Sequence, residues 1–336
     1  MNRSAPASLD VIIPLYNEEA MIELLTAELT RIFSPEALLK HNLSRVRFVM
    51  VDDGSHDATA AAVSAKIAAG FPAILCRLSR NFGHQNALCA GLDYADADVV
   101  AVIDADLQDP PELVLQMVDR WREGFHVIYA ERRKRKESLF KRIGYWGFYR
   151  MIAVLSSVKM PLDSGDFCLM DRQVILALRR LPENLRFVRG LRAWVGFKQT
   201  GLAFDRPARK AGTTKYSFHK LYQLATDGIA SFSIRPLKVA QVLSFSYFIL
   251  SAALVGFLLV SLLFGQQFSI PPLMLITYLL IVSGNGALCL CVYILGAYVG
   301  RTYLEVKQRP VYIVEEVIHN AASGAAPRNA SDKQAG

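Results

Sequence analysis

The sequence predicts an α/β domain with a mostly parallel sheet, followed by two membrane-spanning helices. Three observations carry this prediction. Short apolar runs typical of buried strands alternate with helical patterns over the first part of the chain. Polar and acidic clusters follow directly after several of these runs. Residues 239–300 contain no Asp, Glu, Lys or Arg, although about 20 apolar residues already suffice to cross a bilayer as a helix.

The strands and helices of the first domain follow one another in a regular order. The predicted strands are residues 10–15, 46–51, 73–78, 99–103 and a fifth that begins at 127–129. The predicted helices are residues 18–33, 57–69, 84–94 and 111–123, the last opened by prolines in its first turn. Continuous apolar strands belong in a sheet covered by helices on both faces. Ligands of such sheets bind beyond the carboxyl ends of the strands, where the polar clusters lie.

The domain organisation follows from the change in composition along the chain. The front domain is expected to span residues 1–212, and its polar N-terminus lacks the features of a signal peptide, which predicts a cytoplasmic location. Residues 139–158 and 213–236 mix aromatic and basic side chains at helical spacing. This mixture favours helices that lie in the membrane interface, although each is also compatible with a core helix.

The membrane part is predicted as a hairpin within residues 237–300, with helices at about 239–264 and 273–299. Basic residues flank the pair on both sides, with Arg235 and Lys238 before it and Arg301 after it. The positive-inside rule then puts both termini and the catalytic domain in the cytoplasm of a bacterial cell, at its inner membrane. Residues 301–320 form a cytoplasmic segment, and the tail 321–336 is predicted to be disordered.

The charge and cysteine usage narrow the class of partner. The net charge is +8, and the basic residues concentrate in 132–142, 179–192 and 206–220. Because these clusters adjoin the aromatic and apolar segments, they indicate anionic headgroups or a phosphate ligand rather than nucleic acid. The five cysteines are an odd number without framework spacing, which indicates reduced thiols.

Acidic residues at the end of the fourth predicted strand are the strongest local signal. Asp104 and Asp106 are one residue apart, with Gln108 two residues further on. Two carboxylates at a strand end can share a hard divalent ion that prefers oxygen ligands and phosphate partners. An isolated pair of this kind is usually a solvated turn, but its position at the ligand-binding edge of the sheet favours a site.

Two further polar segments end the first and second predicted strands. Asp52 and Asp53 precede Gly54, which permits a tight turn, and their carboxylates can accept hydrogen bonds from a ribose or a base. They also precede Ser55, a potential helix cap, and the two interpretations are compatible. After the first strand, Tyr16 can stack on a base and the segment can cap the next helix. Three such segments at one sheet edge are stronger evidence than any one alone.

The three segments and several later ones resemble a known family. The motifs IIPLYNEE, VDDGS and DADLQDPPE, in this order, look like family 2 inverting glycosyltransferases with the GT-A fold. SRNFGHQ, SGDFCLMDR, RGLRAWVGF and RKAGTTKYS, together with the two apolar helices, are similar to polyprenyl-phosphate glycosyltransferases. That group includes bactoprenol glucosyltransferases, aminoarabinose-transferring relatives and dolichol-phosphate mannose synthase. The resemblance covers about residues 9–314.

The resemblance implies a role for residues at matching positions. A bound Mg²⁺ or Mn²⁺ and the diphosphate would be held by Asp104, Asp106 and Gln108. The nucleotide sugar would be contacted by Pro14, Tyr16, Asn17, Glu18, Asp52, Asp53, Gln85, Asp104, Gln108, Arg209 and Lys215, the last two from a loop that closes over the donor in relatives. The acceptor phosphate would meet Arg132 with Lys141 or Arg142. The spacing of the basic residues after Arg132 departs from the mannose synthases and leaves that choice open.

Asp166 in the SGDF motif completes the catalytic set with Asp104 and Asp106. It is interpreted as a general base, an orienting carboxylate, or a partner of Arg189 or Arg192. A phosphate monoester has a second pKa of about 6, so the acceptor is mostly ionised and needs no strong base. In-line displacement by its oxygen inverts the anomeric centre. His84 is interpreted as a structural or supporting residue rather than a metal ligand, because carboxylates suit Mg²⁺ better.

The expected reaction is transfer of glucose from UDP-glucose to undecaprenyl phosphate, which gives a β-linked lipid phosphosugar for the cell envelope. The resemblance leaves aminoarabinose, galactose, N-acetylglucosamine and mannose open as the sugar. It also implies a homo-oligomer, as a tetramer. One alternative is a processive polysaccharide synthase, although two helices are too few to enclose a channel. Another is a non-catalytic scaffold that binds nucleotide sugars, although the intact carboxylates argue against it.

Overall fold

The computed structural model of the protein describes residues 3–132, 164–183, 186–204, 235–263 and 270–319. They form two compact units. The predicted interfacial helices at 139–158 and 213–236 lie outside the described residues, apart from the last two positions of the second. The predicted disordered tail and residues 265–269 of the predicted connector between the two membrane helices also lie outside them.

The first unit is an eight-stranded sheet with helices on both faces. Its strands are β1 (Ala7–Leu15), β2 (Leu43–Asp52), β3 (Ala73–Leu78), β4 (Val99–Val102), β5 (Val127–Arg132), β6 (Ser164–Asp171), β7 (Gln199–Phe204) and β8 (Val314–His319). The strand order is β7-β5-β6-β4-β1-β2-β3-β8. The pairs β1–β2, β1–β4, β2–β3 and β5–β7 are parallel, and the other three are antiparallel. The predicted α/β class with a mostly parallel sheet is confirmed.

Seven helices accompany the sheet in the described part of this unit. They are α1 (Glu19–Ile32), α2 (Pro35–Lys40), α3 (Thr59–Ala68), α4 (His84–Tyr94), α5 (Glu112–Arg122), α6 (Arg172–Arg179) and α7 (Val188–Trp194). The apolar sides of α1, α3 and α5 bury against one face of the sheet in a single core. The helices α4, α6 and α7 contact the sheet and one another. Both faces of the central strands are therefore covered, which explains their continuous apolar sequence.

The packing of α4 on the sheet depends on a glycine. Gly91 faces Ile12 of β1, and a Cβ atom built at this glycine would lie 2.3 Å from Ile12 Cγ2. Ile12 is completely buried. The missing side chain lets the helix approach the central strand closely. This close approach fixes the height of α4, whose first residues reach the edge where the predicted site lies.

The second unit contains two long helices, α8 (Arg235–Leu263) and α9 (Ile270–Val306). Within them, Leu237–Phe257 and Ile276–Val306 are long and apolar enough to cross a membrane. The two helices contact each other; for example, Tyr247 lies 3.7 Å from the position of a Cβ at Gly284. Their exposed surface is rich in large apolar side chains, as in helices that face lipid.

The chain returns to the sheet after the second long helix. Strand β8 pairs antiparallel with β3, with Cys76 opposite Val317. Tyr312 donates a hydrogen bond to Asp93 Oδ2 at 2.8 Å, just before this strand. Residues 310–319 therefore belong to the same compact unit as the other strands of the sheet. The sequence analysis predicted neither β8 nor its pairing.

Candidate active site at the carboxyl edge of the sheet

The loop after β1 is fastened to the loop after β2. Asn17 has a positive φ of 53°, and its Oδ1 accepts a hydrogen bond from the His56 N–H at 2.9 Å. The Asn17 N–H donates to Ser55 Oγ, and the Glu18 N–H donates to Thr59 Oγ1. These bonds fix the backbone on both sides of residue 17. The side chains of Asn17 and Thr59 thus serve the protein scaffold in this structure.

Tyr16 keeps its ring at the surface of this loop pair. Its side chain is 39% exposed and meets the His56 ring edge-on, with ring centroids 6.4 Å apart. Pro14 lies within β1 opposite Val51. An exposed aromatic ring on a fixed backbone at the ligand-binding edge is suited to stacking on a planar group such as a nucleobase.

The two aspartates after β2 point to different partners. Asp53 accepts hydrogen bonds from the backbone N–H groups of Phe82 and Gly83 at 2.7 and 2.9 Å. Asp52 accepts from the Ser55 N–H at 3.1 Å, and its second oxygen lies 3.8 Å from Arg77 Nε. Burial, aided by the charge of Asp52, raises the pKa of Asp53 even though the two backbone bonds lower it. The Asp53 carboxylate therefore holds the loop that leads into α4.

A glycine allows these two loops to touch. Gly54 has a φ of 65°, and a Cβ there would lie 2.3 Å from the backbone carbon of Arg80. Any side chain would push the two loops apart. The motif Asp-Asp-Gly-Ser thus encodes a close backbone contact besides its carboxylates.

The acidic segment after β4 alternates between core and edge. Ala105 and Leu107 are buried, whereas the Asp104 side chain is 36% exposed. Asp106 Oδ1 accepts from the Gln108 N–H at 3.0 Å, across Leu107 with its positive φ of 54°. This turn presents two carboxylates at the sheet edge and keeps Gln108 largely buried. The arrangement places hard oxygen donors at the ligand-binding edge of the sheet.

Asp166 lies in β6, the antiparallel neighbour of β4, and is surrounded by nitrogen groups. Its Oδ2 accepts a hydrogen bond from Gln85 Nε2 at 3.1 Å and lies 3.5 Å from His84 Nε2. Its Oδ1 lies 3.6 Å from Arg189 Nε. His84 Nε2 is also 4.0 Å from Asp104 Oδ1. The imidazole therefore stands between the carboxylates of β4 and β6.

These contacts shift the ionisation of both partners. Burial raises the pKa of Asp166, but the contact with His84 and the charges of Arg189 and Arg192 outweigh it, so the pKa lies below its usual value. Burial lowers the pKa of His84, but the carboxylates of Asp166 and Asp104 outweigh it, so the pKa is raised. Both shifts favour the charged forms, and Asp166 is a carboxylate at neutral pH.

The structure brings together only part of the predicted residue set. Gln85 bonds Asp166, and His84 lies between Asp166 and Asp104. Asp53 is connected to this group through its hydrogen bond to Gly83, the residue before α4. Arg132 ends β5. Lys141, Arg142, Arg209 and Lys215 lie outside the described residues. Within the described ranges, no group of three or more His, Cys, Asp or Glu side chains is arranged to hold a metal ion.

Sequence reasoning missed two features of this edge. The contact between His84 and both carboxylates was not predicted, although the position of His84 after the third strand hinted at it. The contact of Arg77 Nε with Asp52 Oδ2 at 3.8 Å was also not predicted, because Arg77 lies in none of the motifs. The pairing of Asp166 with Arg189, one of the alternatives considered, is present in the structure.

Comparison with known proteins identifies the family. Residues 10–179 match the model of glycosyl transferase family 2. An uncharacterized glycosyltransferase of Synechocystis sp. is 40% identical over 310 residues, which are 92% of this chain and 95% of that protein. The prophage bactoprenol glucosyl transferase homolog of Escherichia coli is 33% identical over 317 residues, which are 92% of this chain and 99% of that protein.

Among solved structures, the mannosyltransferase PcManGT from Pyrobaculum calidifontis in complex with GDP-Man and Mn²⁺ aligns with a TM-score of 0.43 at 16% identity. The alignment covers 91% of this chain and 80% of that one. The family match spans the strand ends that carry Asp53, Asp104 and Asp166, and the two relatives extend it over nearly the whole chain. The protein is therefore a glycosyltransferase that belongs to glycosyl transferase family 2.

Proposed function

We propose that the protein transfers a sugar from a nucleotide donor to a polyprenyl phosphate, with inversion at the anomeric carbon. One observation carries this proposal. Along the chain, the sheet of a family 2 glycosyltransferase is followed by two candidate membrane spans, and after them β8 pairs with β3 of the same sheet. A polyprenyl phosphate stays in the bilayer, so its transferase has to work at the membrane surface. The bactoprenol glucosyl transferase homolog, which matches over almost its full length, supports this acceptor class.

The return of β8 supports a hairpin topology. The described sheet residues before α8 and residues 310–319 after α9 form one compact unit. If both spans cross the bilayer, the two ends of the pair have to lie on the same side. Basic residues at both ends of the pair, such as Lys238 and Arg301, favour the cytoplasmic side. Nucleotide sugars and the candidate site then share one compartment at the bacterial inner membrane.

The donor would lie across the carboxyl edge of β1, β2 and β4. Tyr16 offers its exposed ring to the base, and Asp52 and Asp53 lie beside it after β2. Asp104 and Asp106, with the amide oxygen of Gln108, fit Mg²⁺ or Mn²⁺, because these ions take carboxylate, amide and phosphate oxygens. Two carboxylates leave positions for diphosphate oxygens and water. When bound, the ion supplies positive charge that stabilises the departing diphosphate.

The chemistry requires alignment more than proton transfer. An acceptor phosphate oxygen forms a bond to the anomeric carbon while the bond from that carbon to the donor phosphate breaks, and the electron pair leaves with the nucleoside diphosphate. The lowered pKa of Asp166 makes it a weak base, which suits an acceptor that arrives ionised, with a second pKa of about 6. Its role is to orient the reacting groups. An α-linked donor then yields a β-linked product.

The acceptor phosphate would be bound by Arg132 with Lys141 or Arg142, and Arg209 and Lys215 would close over the donor. The name of the Escherichia coli relative, a glucosyl transferase homolog, supports glucose as the sugar, and we propose UDP-glucose as the donor. We expect a homo-oligomer, to be measured by light scattering in detergent. The presence of only two candidate spans in the described chain argues against a processive synthase.

The proposal is tested by incubating the purified full-length protein in detergent with undecaprenyl phosphate, Mg²⁺ and radiolabelled UDP- and GDP-sugars. Label from one donor should enter the organic phase, and Asp106→Asn should lower this transfer by roughly tenfold or more. The matched control is Asp119→Asn, which changes an exposed carboxylate on α5 that bonds His41. If folded protein binds nucleotide but transfers no sugar to lipid, the proposed acceptor is wrong, and the scaffold interpretation gains weight.

A further inference from the structure

The side chain of Gln85 joins three separate elements at the candidate site. Gln85 is the second residue of α4. Its Nε2 donates to Asp166 Oδ2 in β6 at 3.1 Å. Its Oε1 accepts from the backbone N–H of Val188, the first residue of α7, at 2.9 Å. The amide nitrogen of Gln85 thus donates to a carboxylate, and its amide oxygen accepts from the N-terminus of a helix.

The bond to Asp166 is the best formed of the carboxylate's described contacts. At 3.1 Å it is shorter than the 3.5 Å separation from His84 and the 3.6 Å separation from Arg189. Asp166 Oδ1 and Arg189 Nε make no hydrogen bond in the described part of the chain. The charged neighbours therefore set the ionisation of Asp166, while Gln85 supplies a directional bond that fixes one oxygen in space.

The bond to Val188 positions the helix that carries the guanidinium groups. The N-cap residue of α7, Phe187, gives no side-chain cap, so the first turn takes its acceptor from Gln85 instead. Arg189 and Arg192 follow on this short helix, and both lower the pKa of Asp166. The same amide thereby sets the carboxylate and the helix of its cationic partners relative to each other.

We infer that Gln85 is a positioning residue, which acts on the reaction through Asp166 and α7 rather than by binding the nucleotide. This inference rests on the proposed function, because it presumes that Asp166 contacts the reacting groups. It replaces the direct donor contact that the family resemblance implies for this position. Loss of the bond to Asp166 should then slow turnover while leaving nucleotide affinity unchanged.

Two variants of the full-length protein separate the two bonds. Gln85→Glu keeps an oxygen to accept from Val188 but faces Asp166 with a carboxylate, whereas Gln85→Met keeps the length without either polar end. The control is Gln173→Glu, because Gln173 is also the second residue of its helix, α6, and is exposed. It introduces the same charge at the same helical position, away from Asp166.

The measurements are kcat, the KM for the donor and the dissociation constant of UDP. For Gln85→Glu we expect kcat to fall roughly 10- to 100-fold, as for the loss of a hydrogen bond to a charged group, with UDP affinity within about twofold of the unchanged protein. Gln85→Met should lose at least as much kcat, and the control should lose none. The apparent melting temperature shows whether each variant is folded.

Several outcomes would overturn the inference. A weaker UDP affinity or a higher donor KM with kcat unchanged would make Gln85 a nucleotide ligand, and unchanged kcat in both variants would make it dispensable. Donor hydrolysis, in which water replaces the lipid, gives a second rate at the same site. If the unchanged protein transfers no sugar to lipid, the proposed acceptor fails, but the effect of Gln85 on hydrolysis and UDP affinity still decides its role.

Discussion

Replacing Gly91 by alanine is expected to destabilise the protein through one defined contact. The new Cβ would lie 2.3 Å from Ile12 Cγ2 and 3.3 Å from Ile12 Cγ1, whereas carbon atoms pack at about 3.5–4.0 Å. Either α4 or the central strand β1 has to move by more than an ångström. Ile12 is fully buried, and its neighbours Val49 and Val102 in the adjacent strands are buried too, so β1 has little room to yield.

The expected magnitude follows from two opposing terms. Alanine favours a helix over glycine by about 1 kcal/mol. Overpacking of a core costs about 1–3 kcal/mol, and a contact this short belongs at the upper end. The net loss is about 2 kcal/mol, which lowers the melting temperature by roughly 4–8 °C. Because α4 begins with His84 and Gln85, its displacement should also reduce turnover.

A double-mutant cycle with Ile12→Ala tests the cause directly. Ile12→Ala alone should cost about 2–5 kcal/mol through the cavity that it creates. In that background Gly91→Ala should become neutral or stabilising, because the added methyl group enters the vacated space. Thermal unfolding of the full-length protein in detergent measures all four proteins. If Gly91→Ala is harmless alone, or destabilises equally in both backgrounds, the close approach of α4 to β1 is not what requires the glycine.

Three further predictions concern the candidate site. Asp53→Asn should lower the free energy of unfolding by about 2 kcal/mol, since one of the N–H groups of Phe82 and Gly83 loses a charged acceptor; chemical denaturation measures this, and an unchanged midpoint contradicts it. EDTA should abolish transfer and Mg²⁺ or Mn²⁺ should restore it, while Asp106→Asn lowers activity by roughly tenfold or more; activity that survives EDTA refutes the metal site. The pKa of Asp166 is lower in the folded protein than its unfolded-state value of about 3.9, so ionised Asp166 stabilises the fold at pH values above about 3.9. This stabilisation is lost as pH falls through the pKa of the folded state. The melting-temperature difference between the unchanged protein and Asp166→Asn should accordingly be largest near about pH 5. It should shrink in stronger acid as Asp166 is protonated, and it should also shrink as pH rises through the raised pKa of His84, because the neutral imidazole no longer pairs with Asp166.

The predicted elements that match the structure are those buried on both faces. The apolar runs of β1, β2, β3 and β4 and the helices α1, α3 and α4 between them appear within three residues of their predicted bounds. Such strands carry a strong signal, because most of their buried residues are apolar. The sequence analysis did not predict the helices α2, α6 and α7 or the strands β6, β7 and β8. Strand β8, Val-Glu-Glu-Val-Ile-His, covers an edge and has exposed acidic residues, so its sequence lacks a continuous apolar run and gives no hint of its partner.

The location of the site could be predicted from the sequence, but the contacts between its side chains could not. Polar residues after parallel strands had to meet at one edge, and Asp53 and Asp104 do lie there. Which groups pair with Asp166 depends on side-chain directions across 81 residues of sequence separation from Gln85. No periodicity or spacing encodes such a contact. The sequence therefore predicts which carboxylates lie at the site, and the structure shows which side chains contact them.

Consecutive residues connect the loop after β2 to Asp166 in β6. The N–H groups of Phe82 and Gly83 are held by Asp53, after β2. The next two residues, His84 and Gln85, reach Asp166 in β6 with their side chains. These four positions are contiguous, and α4 begins within them. Under the proposed function, a nucleotide that disturbs the bonds of Asp53 is expected to shift the side chains that contact Asp166. The donor is then expected to bind first, because Asp166 would be aligned for the acceptor only when the loop before α4 is in place.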